Sequence, residues 1–389
     1  GAKISDILGG VTGELSVAGD LSEKVAVSHV ITPGISTFGA GNVTADLEIK
    51  KGIVRAGSEY SLQSDAFHLW VMGLDAGGSA TVSGNTVKEN GEHVTRMHVD
   101  LGAFQFVDPD DGSVDISGTG IALDAEWRGL SIAGNVPAAS VAFDLPTAEI
   151  HDVGTFNALI PDDADLALES GTGRVQAKLE INDRVATGTL DLVAEEIALE
   201  TQDTPLMGDL EVHMILAEGD LPSKRFDPSG TTILLDQIIN KNLSEKKQEK
   251  LDPWYCKVGL EKGDITFGKP MAVDGSVTID MYDTRPIEGL LKKTGVGPKW
   301  LGLAPTIKNV NGALDVSLGE GYFTFDDLVM TGDGFESLGW MDVRNRKANG
   351  RLFVRFKSAM AGVSFDEGKS KVHLSKPRKW FEDQPMGPE

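Results

Sequence analysis

Two histidines five residues apart, His93 and His98, are the first pair in the chain whose types could hold a metal or move protons. On a strand that spacing sends the rings to opposite faces, and on a helix it misses the i, i+4 pairing of a metal site, so both read as surface residues. Asp108-Pro109-Asp110-Asp111-Gly112 has the acids of a calcium loop. Its register fails, because Gly112 falls where the third ligand is needed and Thr119 stands where a bidentate Glu belongs. The segment reads as an acidic turn. Gly368-Lys369-Ser370 ends like a phosphate-binding loop, but the upstream position that must be Gly is Val363, and Gly362 lies one place too far away.

Nucleophilic and redox chemistry find as little support. No Gly-x-Ser-x-Gly elbow occurs, and seven histidines with scattered Ser and Asp residues define no triad without geometry. Cys256 is the only cysteine, which excludes an intrachain disulfide, a thiolate zinc site and a Cys-x-x-Cys pair. Asn42-Val43-Thr44 and Asn242-Leu243-Ser244 fit the glycosylation pattern, a tripeptide common by chance. The expectation is a chain without catalytic residues, metal or cofactor, and so not an enzyme.

Composition points to many short strands. The chain has 389 residues, a net charge of −23, 46 Gly and 16 Pro. So acidic a field repels phosphate backbones, which sets nucleic acid aside as a partner. No run approaches the roughly 18 apolar residues of a membrane span. The opening Gly1-Ala2-Lys3-Ile4-Ser5-Asp6 has no signal-peptide pattern. Because the chain starts without Met inside a patterned segment, the expectation is a fragment that lacks its natural start and, with it, a membrane anchor.

One phrase returns along the chain: Gly, any residue, apolar, any residue, apolar. It stands at Gly13-Glu14-Leu15-Ser16-Val17, Gly78-Ser79-Ala80-Thr81-Val82, Gly112-Ser113-Val114-Asp115-Ile116, Gly188-Thr189-Leu190-Asp191-Leu192 and Gly208-Asp209-Leu210-Glu211-Val212, and again from Gly275, Gly312 and Gly350. Side chains on a strand alternate, so each phrase makes one apolar and one wet face. Glycine at each start suggests tight turns with positive φ, and hence an antiparallel meander of hairpins. The irregular spacing disfavours a short-period β-solenoid. The expected fold is all-β: an elongated, mostly antiparallel curved sheet, trough or groove-like, with one or two short helices.

Two segments read as those helices. The first, over about 284–294, opens at Asp283-Thr284 with Pro286 in its first turn and closes at Lys292-Lys293 before Gly295. The second lies in Leu234–Leu251, where Leu235, Ile238, Ile239 and Leu243 precede a polar run and Pro253. That run suggests a soft boundary: an acidic repetitive sheet region over 1–250, then a sheet region over 251–389 with the short helix and a basic end. The two regions could also form one continuous domain. From Trp340 to Phe381 there are 11 Lys and Arg against 3 acids.

The successive phrases Gly173-Arg174-Val175-Gln176-Ala177-Lys178-Leu179, Gly188 to Leu192 and Gly208 to Val212 resemble those of the AsmA-like and TamB-like proteins of Gram-negative bacteria. So does the path from Val310-Asn311-Gly312 through Phe323-Thr324-Phe325 to Gly339-Trp340-Met341-Asp342-Val343. The likeness covers most of the chain as pattern and carries no ligand motif. It implies a periplasmic protein, anchored to the inner membrane through an N-terminal helix this fragment lacks, whose curved sheet holds the acyl chains of a phospholipid or other lipid. The inward, lipid-facing side chains expected are Leu190, Leu192, Leu210, Val212, Val277, Ile279, Leu314, Val316, Leu352 and Val354. Lys376, Arg378 and Lys379 beside Trp380 and Phe381 combine cations with interfacial aromatics, as an anionic membrane surface requires. A solvated tail is the competing reading.

Two other functions compete. A structural or adhesive envelope protein would seal the same apolar faces into a closed core. A carbohydrate-active solenoid enzyme would need a regular coil and converging acids.

Overall fold

The computed structural model describes residues 10–21, 35–38, 40–71, 74–107, 114–131, 139–159, 167–201, 204–241, 253–266, 272–285, 306–344 and 347–384. The chain divides into two compact units, Gly1–Gln202 and Asp203–Glu389. Both are antiparallel sheet, so the fold is all-β.

The first unit contains β1 (Thr12–Leu21), β2 (Ile35–Phe38), β3 (Gly41–Lys50), β4 (Ile53–Val54), β5 (Glu59–Val71), β6 (Leu74–Glu89), β7 (Glu92–Val107), β8 (Val114–Arg128), β9 (Ala139–Ile150), β10 (Ala167–Asn182) and β11 (Val185–Thr201). Pairing runs β1-β3-β5-β6-β7-β8-β9-β10-β11. β2 lies beside β5 further along it, and β4 pairs with the end of β3. From β5 onward each strand returns beside its predecessor, which is the meander the sequence predicts.

Among the described residues, the recurrent phrase glycines Gly13, Gly78, Gly188, Gly208, Gly275, Gly312 and Gly350 do not make the turns. Glycines for which φ is positive include Gly52, Gly91, Gly321, Gly334 and Gly368, all at hairpin tips. At Asn90-Gly91 both φ values are positive, 49° and 87°, as a two-residue type I′ hairpin needs. The phrase glycines sit inside ladders instead: Gly188 opposite Leu179, Gly312 opposite Met330, Gly350 opposite Met341. A Cβ at Gly188 would lie 2.3 Å from the Lys178 carbonyl oxygen. Glycine there permits close approach of neighbouring strands, a packing role rather than a turning one.

Register explains why the faces stay separate. Val43 faces Leu62, and the row continues through Val82, Val99, Leu123 and Phe143 to Leu179, crossing seven strands without changing sides. We call this the inner face. Bulges such as those between Ser64 and Phe67 and between Gly78 and Ala80 bend the strands while preserving the apolar set.

One end of this inner face is closed. Past β3 the chain turns so that the Val54 N–H donates to the Leu130 carbonyl at 3.0 Å and Ile53 bridges Ser131. Ile49, Val54, Met97 and Trp127 are buried there, and Thr86 and Thr95 share a hydrogen bond of 2.9 Å. At the opposite end a 3-10 helix, Val153–Leu159, packs on β10, and the Asn157 amide both donates to and accepts from the Leu168 backbone.

The plug carries a pH-sensitive bond. The Ala56 N–H donates to His93 Nδ1 at 3.0 Å, which requires that nitrogen to be unprotonated. Burial, then the charges of Arg55 and Lys88, push the His93 pKa below 6.5, with Glu48 opposing them. A pKa depressed in the folded state means stability that is complete above 6.5 and declines as pH falls through that value toward the folded one. We expect the urea midpoint to drop between pH 7 and pH 5, and to drop less in His93→Gln. An identical pH profile in the variant would refute the assignment.

The second unit contains β12 (Thr204–Asp220), β13 (Arg225–Asp227), β14 (Thr232–Asn240), β15 (Trp254–Thr266), β16 (Ala272–Asp283), β17 (Lys308–Gly319), β18 (Tyr322–Gly332), β19 (Phe335–Arg344), β20 (Lys347–Phe356), β21 (Ala359–Asp366), β22 (Lys369–His373) and a helix, α1 (Pro377–Glu382). β12 pairs with β13 and β14, both of which pair with β15, and the meander then runs in order to β22.

The helix expected within Leu234–Leu251 is corrected over its first part, which is β14. Gln237 has φ 53°, and the register shifts between Leu235 and Ile238. That bulge puts two residues three apart onto one face, so Leu235 meets Cys256 and Ile238 meets Trp254. A bulged strand thus imitates helical spacing. The polar run 242–250, the helix expected over about 284–294 beyond Arg285, and the acidic turn Asp108–Gly112 lie outside the described residues. The ends flanking the 284–294 segment are tied: Trp254 Nε1 donates to the Asp283 carbonyl at 2.8 Å, and the Thr284 N–H donates to Ile307 at 3.1 Å.

Candidate functional site

The second unit repeats the apolar row. Val212 faces Ile233, then Val258, Ile279, Gly312 and Met330 follow, strand by strand. A parallel row joins Leu210, Leu235, Cys256, Met281 and Val310. A third links Val316 through Phe325 and Met341 to Gly350 and Phe365.

This register places all eight inward residues expected in the second unit on one face. Val277 lies opposite Leu314, Ile279 two residues along β16, and Leu352 and Val354 follow Gly350 on β20. In the first unit Leu190 pairs with Ala177 and Leu192 with Val175, on that unit's inner face. Of the ten, only Leu192 is buried; the other nine are half-buried. Ile233 in the same row is 39 % exposed. A strand sealed under a second layer would lose nearly all of this exposure, as Val82, Met97 and Trp127 do near the plug. The row from Val212 to Met330 is apolar, continuous and accessible, whereas Met281 and Val310 in the row beside it are buried.

Several residues of this face escaped the sequence reading: Ile233, Val258, Cys256, Met330, Phe325 and Met341. Phe325 and Met341 stand in Gly-x-apolar phrases that open at Gly321 and Gly339, whereas for the other four only pairing register assigns the side. Cys256 is half-buried within the face, and burial, then the Asp280 charge, push its thiol up to about 11.

The outer face is polar. Ser61, Ser83, His98 and Asp124 form one row across four strands. A concavity of about 570 Å³ beside it is lined mostly by such groups, including Asp46, Glu59, Asn85 and Arg96. Its lining suits water and ions, not an acyl chain. His98 Nδ1 lies 2.8 Å from Asp124 Oδ1, with both side chains well exposed. The Ser83-His98-Asp124 order has the residue types of a hydrolytic triad. The neighbouring backbone N–H groups, however, belong to an unbroken ladder and offer no oxyanion site.

The remaining motifs resolve similarly. His93 and His98 face opposite sides of β7, as their spacing requires. Gly368-Lys369-Ser370 is a hairpin tip entering β22, with Gly368 at φ 82°. Asn42 lies in β3, and Asn242 lies outside the described residues.

The basic carboxyl end is ordered by α1 against the outer face. Phe381 is 4 % exposed, 6.3 Å from the Phe353 ring centroid. Trp380 stacks on His373 at 3.9 Å over Gly362, where a Cβ would meet the indole at 2.3 Å. Arg378 bonds to Glu336 and Glu382, both at 2.9 Å. The aromatic pair expected to meet a membrane is therefore used to dock the helix, while Lys376 and Lys379 remain exposed.

Fold and site together define an all-β protein of curved antiparallel sheet with one apolar and one charged face. Compared with known protein families, curated proteins and solved structures, the chain matches none.

Proposed function

We propose that this chain is a non-enzymatic lipid-binding module that holds acyl chains along the apolar inner face, in the lipid-transport apparatus of a Gram-negative envelope. The observation that supports it best is the row from Val212 to Met330, continuous by register yet left half-buried or exposed. Water held against such a face is displaced by methylene groups, each contributing about 0.8 kcal/mol when buried. Binding of this kind uses no catalytic group, and the acidic outer face keeps the protein soluble. The periplasmic setting and inner-membrane attachment follow the AsmA-like resemblance of the Gly-x-apolar phrases.

The test is native mass spectrometry of the purified protein after incubation with phospholipid vesicles, with extraction and identification of what co-purifies. Bound phospholipid is expected, and two additional methylenes, about 1.6 kcal/mol, should tighten binding by about 15-fold. Val258→Asp with Ile279→Asp should abolish it, while the outward Lys257→Asp should not. Cys256 gives an independent readout, since an acyl chain on its row should slow its alkylation by a neutral maleimide. An apo mass unchanged by vesicles, with an unchanged alkylation rate, would support the sealed structural module instead.

A further inference from the structure

Two outer strands of the described sheets, β22 and β1, are built differently. β22 has five residues, two of them Lys, an edge kept short and charged. β1 has ten residues and contains neither Lys, Arg nor Pro. It pairs with β3 from Thr12 to Leu21 without a register shift, and among the described residues with nothing else. Thr12 to Asp20 are exposed, and Leu15 and Val17, on the inner face, are 48 % and 43 % exposed.

β1 is also complementary to itself. With Ser16 opposite Ser16 in an antiparallel pair, Leu15 meets Val17, Gly13 meets Gly19, Glu14 meets Ala18 and Thr12 meets Asp20. Apolar residues then share one face, and no like charges stand opposite each other. Centring on Val17 would set Glu14 against Asp20. Centring between two residues would set every inner-face residue of one copy against an outer-face residue of the other. Centring on Leu15 pairs fewer residues.

We propose that β1 is a homotypic interaction edge, through which two copies of this chain join by antiparallel β1 pairing about Ser16. A two-fold axis normal to the sheet keeps both inner faces on the same side. The row ending at Leu47-Leu15 and Ala45-Val17 in one copy continues into the other.

Sedimentation velocity of the whole chain from about 1 to about 100 µM, a span suited to weak interfaces, should show mass doubling with concentration. Val17→Lys should remain monomeric at the top of that range with an unchanged melting temperature, because its side chain is exposed in the single copy. In a Cys256→Ser background, Ser16→Cys should oxidise to a disulfide dimer faster than Met360→Cys, an exposed control on another strand. A monomer throughout, a dimer that survives Val17→Lys, or equal oxidation at both positions would overturn the proposal.

Discussion

Replacing Phe353 with Ala is expected to cost about 3 to 5 kcal/mol and to release α1 from the sheet. Phe353 is fully buried on the outer face of β20, covered by Phe381, with the Arg378 guanidinium 5.1 Å above its ring. A six-residue helix cannot persist alone, since nucleation consumes more entropy than so few backbone bonds return. It is held by this ring, by the Trp380 stack on His373, and by Glu336, which binds Arg355 at 3.0 Å and Arg378 at 2.9 Å. Removing the ring leaves a cavity beneath the helix and loses the main apolar contact. Urea unfolding should report the loss, and Trp380 emission should shift to the red as the stack opens. Phe353→Leu, which nearly conserves volume, should cost about 1.5 kcal/mol or less. If Phe353→Ala shifted the midpoint no more than Phe353→Leu, the helix would be held by its ion pairs instead.

The second large effect concerns the recurrent glycines. Gly350→Val is expected to destabilise by about 1 to 3 kcal/mol, although strand propensity alone would favour Val over Gly by up to about 1 kcal/mol. The sign follows from what the new side chain meets. A Cβ at Gly350 would lie 2.5 Å from the Trp340 carbonyl oxygen and 2.9 Å from the Met341 Cα, both backbone atoms that cannot rotate away. Gly13 opens the same phrase on β1, and a Cβ there would meet nothing within 4 Å, so Gly13→Val should be neutral or stabilising. Paired melting temperatures decide the matter. Equal shifts for the two variants would mean that the phrase glycines have no packing role.

The same comparison shows how far the pattern could be read. Alternation along single strands was legible: Leu210 with Val212, Val277 with Ile279 and Leu314 with Val316 do share a face. Hairpin chemistry was partly legible, since Asn90-Gly91 makes the turn its type favours. The helical reading of Leu235, Ile238 and Ile239 failed because a bulge at Gln237 adds one residue to the period, which no local count distinguishes from a helical turn. The competing reading of the basic aromatic end as a solvated tail failed for a different reason. Phe381 finds Phe353 and Trp380 finds Gly362, partners 28 and 18 residues away along the chain.

By itself, then, the sequence determined the strand period and the two-faced character of each strand, because these depend on neighbours two residues apart. Only the tertiary structure decided which strands share a row, that Cys256 and Val258 belong to the apolar face of the second unit, that a plug bonded to His93 closes one end of the first unit's inner face, and that β1 pairs with β3 alone among the described residues. Those properties depend on register between strands, and register is set by bulges, by glycines beneath bulky neighbours and by pairing over tens of residues.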